Sequence, residues 1–265
     1  MSNWAPASPT FLVIHGAWHN PEHYAMLCNA IQRSGGETVC PYLPSCSGEI
    51  PPTQTLEDDI LLIRQTAQSL LDQGKRVVAV MHSYGGMVGT DALEGLPIDQ
   101  LIYVAAFVPP SGKSLTDMFD GHSAPFISID VSVKLPTSRQ MKEKELMRCR
   151  YEQDEKGVTS VPDPVPVFYQ DIPTSHTTVW VEKLTTQAKS AQLKPISREA
   201  YRNIPATYIV CEDDQAIPRE LQEKMVADVK RRVGVEMQME RLPAGHSPFL
   251  SMPDRTAELL INLST

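Results

Sequence analysis

The chain has 265 residues, 42% of them hydrophobic and 21% charged, with a formal net charge of −8. That length suits one α/β domain with a substantial core and room for an insertion. The acidic balance and dispersed cations exclude a nucleic-acid partner, because phosphate binding needs clustered Lys and Arg.

Cys28, Cys40, Cys46, Cys149 and Cys211 are an odd number at no metal-like or framework spacing, and read as reduced thiols. Met1–Pro9 has no basic stretch followed by an apolar segment, and no apolar run reaches the ~18 residues that span a bilayer. The expectation is a cytoplasmic protein without a membrane partner. A mixed-charge cluster at 139–150 reads as a solvated helix face.

Taken in order, Phe11–Ile14 is a buried strand that ends in His15-Gly16-Ala17-Trp18. Tyr24, Leu27, Cys28 and Ile31 recur at helical spacing within 21–34, and Gly35-Gly36 supplies the stop. A short strand over 37–40 leads into a Pro- and Ser-rich loop at 41–52. Thr55 and Asp58 then open an amphipathic helix that runs to Gly74. Val77–Val80 is a β-branched strand ending at His82-Ser83-Tyr84, and Gly85-Gly86 opens a helix through Leu93. Leu101–Ala106 is another apolar strand, closed by Pro109-Pro110. Strands alternating with helices imply a parallel sheet covered on both faces.

From 111 to 203 the rhythm stops. Charges at 142–145 and 152–156, prolines at 162, 164 and 166, and late aromatics replace it. This stretch reads as an insertion over the carboxyl edge of the sheet, with a helical pattern at 179–191. The rhythm returns with a strand over 206–211, a helix over 219–229, a strand over 235–242 and a terminal helix over 254–263.

The chemistry sits at three strand ends. A strand that becomes a helix within three residues passes through a cramped residue, here Ser83, in the manner of a nucleophile elbow. Such an elbow wants small residues two positions to either side; Gly85 fits and Met81 does not. The 206–211 strand ends in Glu212-Asp213-Asp214, and the 235–242 strand ends in Gly245-His246-Ser247. Taken singly, Asp214 is an adequate helix N-cap and His246 a loop histidine. The order Ser, Asp, His on the ends of one sheet is that of a large serine-hydrolase fold. His15, His19 and His23 straddle a loop and Pro21, so they share no helix face for a metal. His82 adjoins the serine and reads as structural.

Phe11–Trp18, Met81–Gly86, Asp214–Pro218 and Gly245–Phe249 together resemble the α/β-hydrolase superfamily, over nearly the whole chain and least in 111–203. The branch it is most similar to holds plant methylesterases, hydroxynitrile lyases and related microbial hydrolases. The resemblance implies an α/β-hydrolase fold with a mostly parallel, eight-stranded sheet. It also implies a core of 1–110 and 204–265 and a helical cap of 111–203 after the sixth strand. Carried over by position, Ser83 is the nucleophile, His246 the base and Asp214 its orienting acid. Asp214 is preferred to Asp213 because the family's Asp precedes two residues, an apolar residue and Pro. The backbone N–H groups of Ala17 and Tyr84 would form the oxyanion hole, with Gly16 letting the backbone turn.

Trp18, Tyr84, Phe107, Met118, Phe168, Tyr169, Trp180 and Phe249 are candidate pocket walls. The expected activity is hydrolysis of a carboxylic ester, thioester or lactone of a small to medium apolar substrate through an acyl-serine, with no cofactor and no metal. A cyclase, lyase or acyl transferase using the same triad is the alternative, and a ligand receptor a third. Gly16 and Ser247 stand where the hydroxynitrile lyases carry Thr and Lys, which argues against cyanohydrin cleavage.

Overall fold

A computed structural model describes residues 8–119, 124, 126, 128–129 and 157–264. The 139–150 charge cluster and Cys149 lie outside the described residues, and the other four cysteines are free thiols.

Five strands of five or six residues and one of three build a parallel sheet. In chain order the strands are β1 (Thr10–Ile14), β2 (Glu37–Val39), β3 (Val77–His82), β4 (Gln100–Val104), β8 (Ala206–Cys211) and β9 (Gln238–Leu242). Their spatial order is β2-β1-β3-β4-β8-β9, and every pairing is parallel. β1, β3 and β8 are buried along their full length, as expected of near-continuous apolar runs covered on both faces. The sheet holds six strands among the described residues, against the eight that the resemblance implies, so the intervening segment follows the fourth of them.

The helices match the apolar spacing that predicted them. They are α1 (Ala25–Arg33, entered through a 3-10 turn at Pro21–Tyr24), α2 (Leu56–Asp72) and α3 (Gly85–Ala92). Thr55 caps α2, its N–H donating to Asp58 Oδ2 at 2.8 Å.

The segment between β4 and β8 departs from expectation. It carries a small antiparallel sheet of β5 (Ser128–Ile129), β6 (Val158–Ser160) and β7 (Gln187–Ala188). The helical pattern at 179–191 is two helices, not one. After α4 (Val165–Phe168), α5 (Thr174–Glu182) ends before β7, and α6 (Lys189–Leu193) follows it. Pairing of β7 with β6 overrides local helical spacing there. The chain closes with α7 (Arg219–Val233), α8 (Pro248–Ser251) and α9 (Pro253–Leu263). Among the described residues no helix is long and apolar enough to cross a membrane.

Register decides what meets at the carboxyl edge. Ile14 pairs with Met81, so the chain leaving β1 at His15 and the chain leaving β3 at Ser83 emerge side by side. Cys211 pairs with Leu242, which brings the 212–217 and 243–247 loops together in the same way. The chain runs out from β1 to β2 and returns to β3, so the first of these sites lies at a topological switch point.

Candidate active site

Ser83 holds φ at +51°, a strained value for a residue with a side chain. Two contacts enforce it. Ser83 O accepts the N–H groups of Gly86 (3.0 Å) and Phe107 (3.1 Å). The helix that follows lies hard against the sheet: a Cβ on Gly85 would fall 2.2 Å from Ile14 O, and one on Gly86 2.1 Å from Phe107 O. Met81, the departure from the small-flanked elbow, is accommodated one helical turn further on. A Cβ on Gly89 would lie 2.3 Å from Met81 Sδ, so glycine at 89 makes the room that Met81 takes.

On the other side of the edge, His246 Nδ1 donates to Asp214 Oδ2 at 2.8 Å, both side chains being buried. Asp214 also accepts from the N–H groups of Ala216 (2.7 Å) and Ile217 (2.9 Å) and from Gln222 Nε2 (3.3 Å). Among the described residues, four donors and no acceptor surround this carboxyl, the setting that suits an acceptor-only carboxylate. Asp213 is exposed, and its carbonyl faces Gln170. His246 and Ser83 line one narrow cavity of about 20 Å³ with Ala17, Trp18, Tyr84 and Phe107. Among the described residues, the N–H groups of Ala17 and Tyr84, beside this cavity, meet no protein acceptor.

The sequence profile of the alpha/beta hydrolase family matches residues 11–259. This chain belongs to the alpha/beta hydrolase family. It is 28% identical to "Alpha/beta hydrolase nvfD" of Aspergillus novofumigatus, covering 96% of each chain. It is 24% identical to "Methylesterase 1" of Arabidopsis thaliana, covering 96% of this chain and 95% of the relative. A crystal structure of a pyrethroid hydrolase from Sphingobium faniae superposes with a TM-score of 0.68 at 21% identity over 97% of both chains, which speaks for the fold.

In this hydrolase the other described histidines around the site are saturated. His82 Nε2 lies 2.9 Å from His246 O, a carbonyl that only accepts, so Nε2 carries the ring proton. Its Nδ1 then accepts from the Tyr24 hydroxyl (2.7 Å), whose oxygen accepts the N–H of Gly16 (2.9 Å). His82 therefore has no lone pair to spare as a base. By the same reasoning His15 Nδ1 donates to Gly16 O and its Nε2 accepts from the N–H of Leu43, each at 2.9 Å. His19 Nδ1 donates to Ala17 O (2.8 Å), and His23 Nε2 donates to Trp180 O (3.1 Å). Burial, which penalises the imidazolium, holds His15 down to about 4 and pushes His19 and His82 well below the ordinary histidine value. Among the described residues no three His, Cys, Asp or Glu side chains form a group fit for a metal.

Gly16 has a different role from the one expected of it. The positive φ falls on Trp18 (+61°), whereas a Cβ on Gly16 would lie 2.9 Å from His82 Nδ1 and 3.1 Å from Ser83 Cβ. Glycine is there for close approach.

Of the aromatic and sulfur side chains proposed as walls, Trp18, Tyr84, Phe107 and Phe168 line the cavity. Four do not. Met118 turns to a separate groove against Leu221 and Met225. Tyr169 is buried behind the wall, its hydroxyl donating to His19 Nε2 (3.1 Å). Trp180 packs on the His23 ring at 5.9 Å, and Phe249 stacks on Tyr24 at 4.1 Å, beneath the His246 loop. Leu115, Phe119, Ala124, Phe126, Ala216 and Ile217 are the other described residues of the lining.

Two further buried polar residues support the site and lie outside the motifs of the sequence. Gln222 shares a helix face with Met225, Val226 and Val229, and Asp59 shares one with Leu56 and Ile63. A polar residue on an apolar stripe is the signal that finds them. Gln222 also donates to Ile217 O (2.7 Å), bracing the Asp214 loop. Asp59 accepts from the Tyr84 hydroxyl (2.7 Å) and from the N–H of Ser45 (2.9 Å), and burial lifts its carboxyl to about 6.

Proposed function

We propose that this enzyme hydrolyses a carboxylic ester of a small, uncharged, apolar acid through an acyl-serine. The observation that carries the reading is the buried His246–Asp214 hydrogen bond, with the imidazole opening on the same cavity as the strained Ser83. With Nδ1–H committed to Asp214, the His246 lone pair is left on Nε2, the atom available to a neighbouring hydroxyl. Ser83 Oγ attacks the ester carbonyl as His246 takes its proton, and Asp214 stabilises the imidazolium. The tetrahedral oxyanion is held by the N–H groups of Ala17 and Tyr84, each worth about 2.7–4 kcal/mol of barrier by analogy with such donors elsewhere. Collapse expels the alcohol, which takes the proton from His246. Water then repeats the sequence on the acyl-serine, releasing the acid and restoring the serine hydroxyl.

The lining supports the substrate class. Among the described residues, apart from Ser83 and His246, the lining carries no titratable group other than the Tyr84 phenol, whose hydroxyl is engaged by Asp59. A charged acyl group would lose its hydration there without a partner. Residues 111–203 act in this reading as the cap, and 1–110 with 204–265 as the core. A relative named as a methylesterase supports an ester with a small alcohol. The test is hydrolysis of p-nitrophenyl acetate and butyrate against p-nitrophenyl hydrogen succinate. Turnover of the neutral esters by the wild type and its loss in Ser83→Ala are expected. Equal turnover by Ser83→Ala would refute acyl-serine chemistry, and a preference for the succinate would refute the substrate class.

A further inference from the structure

Four consecutive residues, Phe168 to Asp171, each reach the loops that hold the proposed triad and oxyanion donors. Phe168 lies against the His246 ring (5.4 Å) and stacks on Trp18 (5.8 Å, 27°). Tyr169 donates to His19 Nε2 (3.1 Å), and His19 in turn donates to Ala17 O (2.8 Å). Gln170 Nε2 donates to Asp213 O at 2.8 Å. Asp171 Oδ2 accepts the N–H of Gly245 at 2.7 Å, one residue before His246. The fit is close: a Cβ at 245 would lie 2.3 Å from Gln170 Nε2 and 2.8 Å from Asp171 Oδ1, so these side-chain ends would have to shift to admit one.

From this arrangement we infer that Asp171 is a positioning residue for His246, the key contact of a clamp, Phe168–Asp171, that sets the catalytic loops in register. The inference rests on the Ser83–His246–Asp214 reading above. The His246 backbone is pinned on two sides. His82 Nε2–H holds its carbonyl (2.9 Å), and Asp171 holds the preceding peptide through a charge-assisted hydrogen bond. Asp214 fixes the ring through Nδ1, but a ring held only there still swings with its backbone. Asp171 removes that freedom. Because Asp171 is exposed, water replaces its carboxylate when it is removed, so truncation leaves the fold in place and loosens the loop.

The experiment compares wild type, Asp171→Ala and Asp171→Asn by kcat and KM for p-nitrophenyl butyrate, by thermal midpoint, and by the rate at which an uncharged fluorophosphonate labels Ser83. Misplacement of a reacting group by about 1 Å costs on the order of 10²-fold. Asp171→Ala is expected to lose roughly 10- to 100-fold in kcat and in labelling rate, with KM and the thermal midpoint little changed. Asp171→Asn keeps an oxygen acceptor for the Gly245 N–H and is expected to recover most of both rates. Rates in Asp171→Ala equal to wild type, or a loss that Asp171→Asn shares in full, would overturn the inference. A wild type that labels at a residue other than Ser83 would instead overturn the triad reading beneath it.

Discussion

The loop after β1 and the loop after β9 both present imidazoles to the carboxyl edge of the sheet, and they put them to opposite uses. In the first loop, His15 and His19 have both ring nitrogens engaged by backbone carbonyls, a backbone N–H or a tyrosine hydroxyl. In the second, His246 has one nitrogen on a carboxylate and its ring in the wall of the cavity. The difference teaches that the partners decide what a buried histidine does. Carbonyls, an N–H and hydroxyls saturate it while burial holds it neutral, as scaffold. A carboxylate on one nitrogen leaves the other a lone pair and stabilises the charge that forms when that lone pair takes a proton.

That contrast is broken most severely at the reacting groups. Ser83→Ala should lower kcat by about 10⁴-fold or more with the thermal midpoint unchanged. Asp214→Asn should cost about 10³- to 10⁴-fold, because an amide that must donate to one neighbour and accept from another no longer selects the Nδ1–H tautomer. Asp213→Asn, in an exposed side chain beside it, should stay within a few-fold of wild type in the same assay, and the reverse ranking would reassign the acid.

The scaffold imidazoles make the second test, read as stability. His15 sits near 4 in the folded chain against an ordinary histidine value of 6.5, and His19 and His82 are depressed in the same direction. Above pH 6.5 both folded and unfolded chains carry these rings neutral, and the stability is fully present. As pH falls towards 4 the unfolded chain binds protons that the folded chain refuses, so stability is lost. One such ring costs about 1.4 kcal/mol per pH unit, so His15 alone costs about 2 kcal/mol by pH 5. Asp59, lifted to about 6 by burial, works the other way below that pH and offsets part of the cost of one ring. Urea midpoints at pH 7 and pH 5 should therefore differ markedly, and a flat profile would contradict the neutral-scaffold assignment. A single scaffold hydroxyl is tested by Tyr24→Phe. It strips an acceptor from the Gly16 N–H and a donor from His82 Nδ1, both buried, and should cost about 1–3 kcal/mol in the same denaturation measurement.

What the sequence made legible follows the same line. The sheet, the elbow at Ser83 and the emergence of Asp214 and His246 were readable because strand ends announce themselves locally, through β-branched runs that stop at Gly, Pro or charge. The allowance for Met81 was hidden because it lies in Gly89, a helical turn away, and becomes visible only when α3 packs on β3. The aromatic walls were half legible for the same reason. Trp18, Tyr84 and Phe107 adjoin strand ends and land in the cavity. Trp180 lies on α5, where periodicity gives a face but not the neighbour that face meets, here His23. Within 111–203 the short β6–β7 pairing has too few residues to leave a pattern, and it splits the stretch that spacing reads as one helix.

The central claim is that the Ser83 oxygen forms a covalent bond to the acyl group of its substrate. Its most direct measurement is peptide mass mapping after an acid quench during turnover of p-nitrophenyl trimethylacetate, whose hindered acyl group leaves slowly. The account predicts one trimethylacetyl group on Ser83 in the wild type and none in Ser83→Ala. Hydrolysis that proceeds with Ser83 unmodified, or an adduct on another residue, would contradict it.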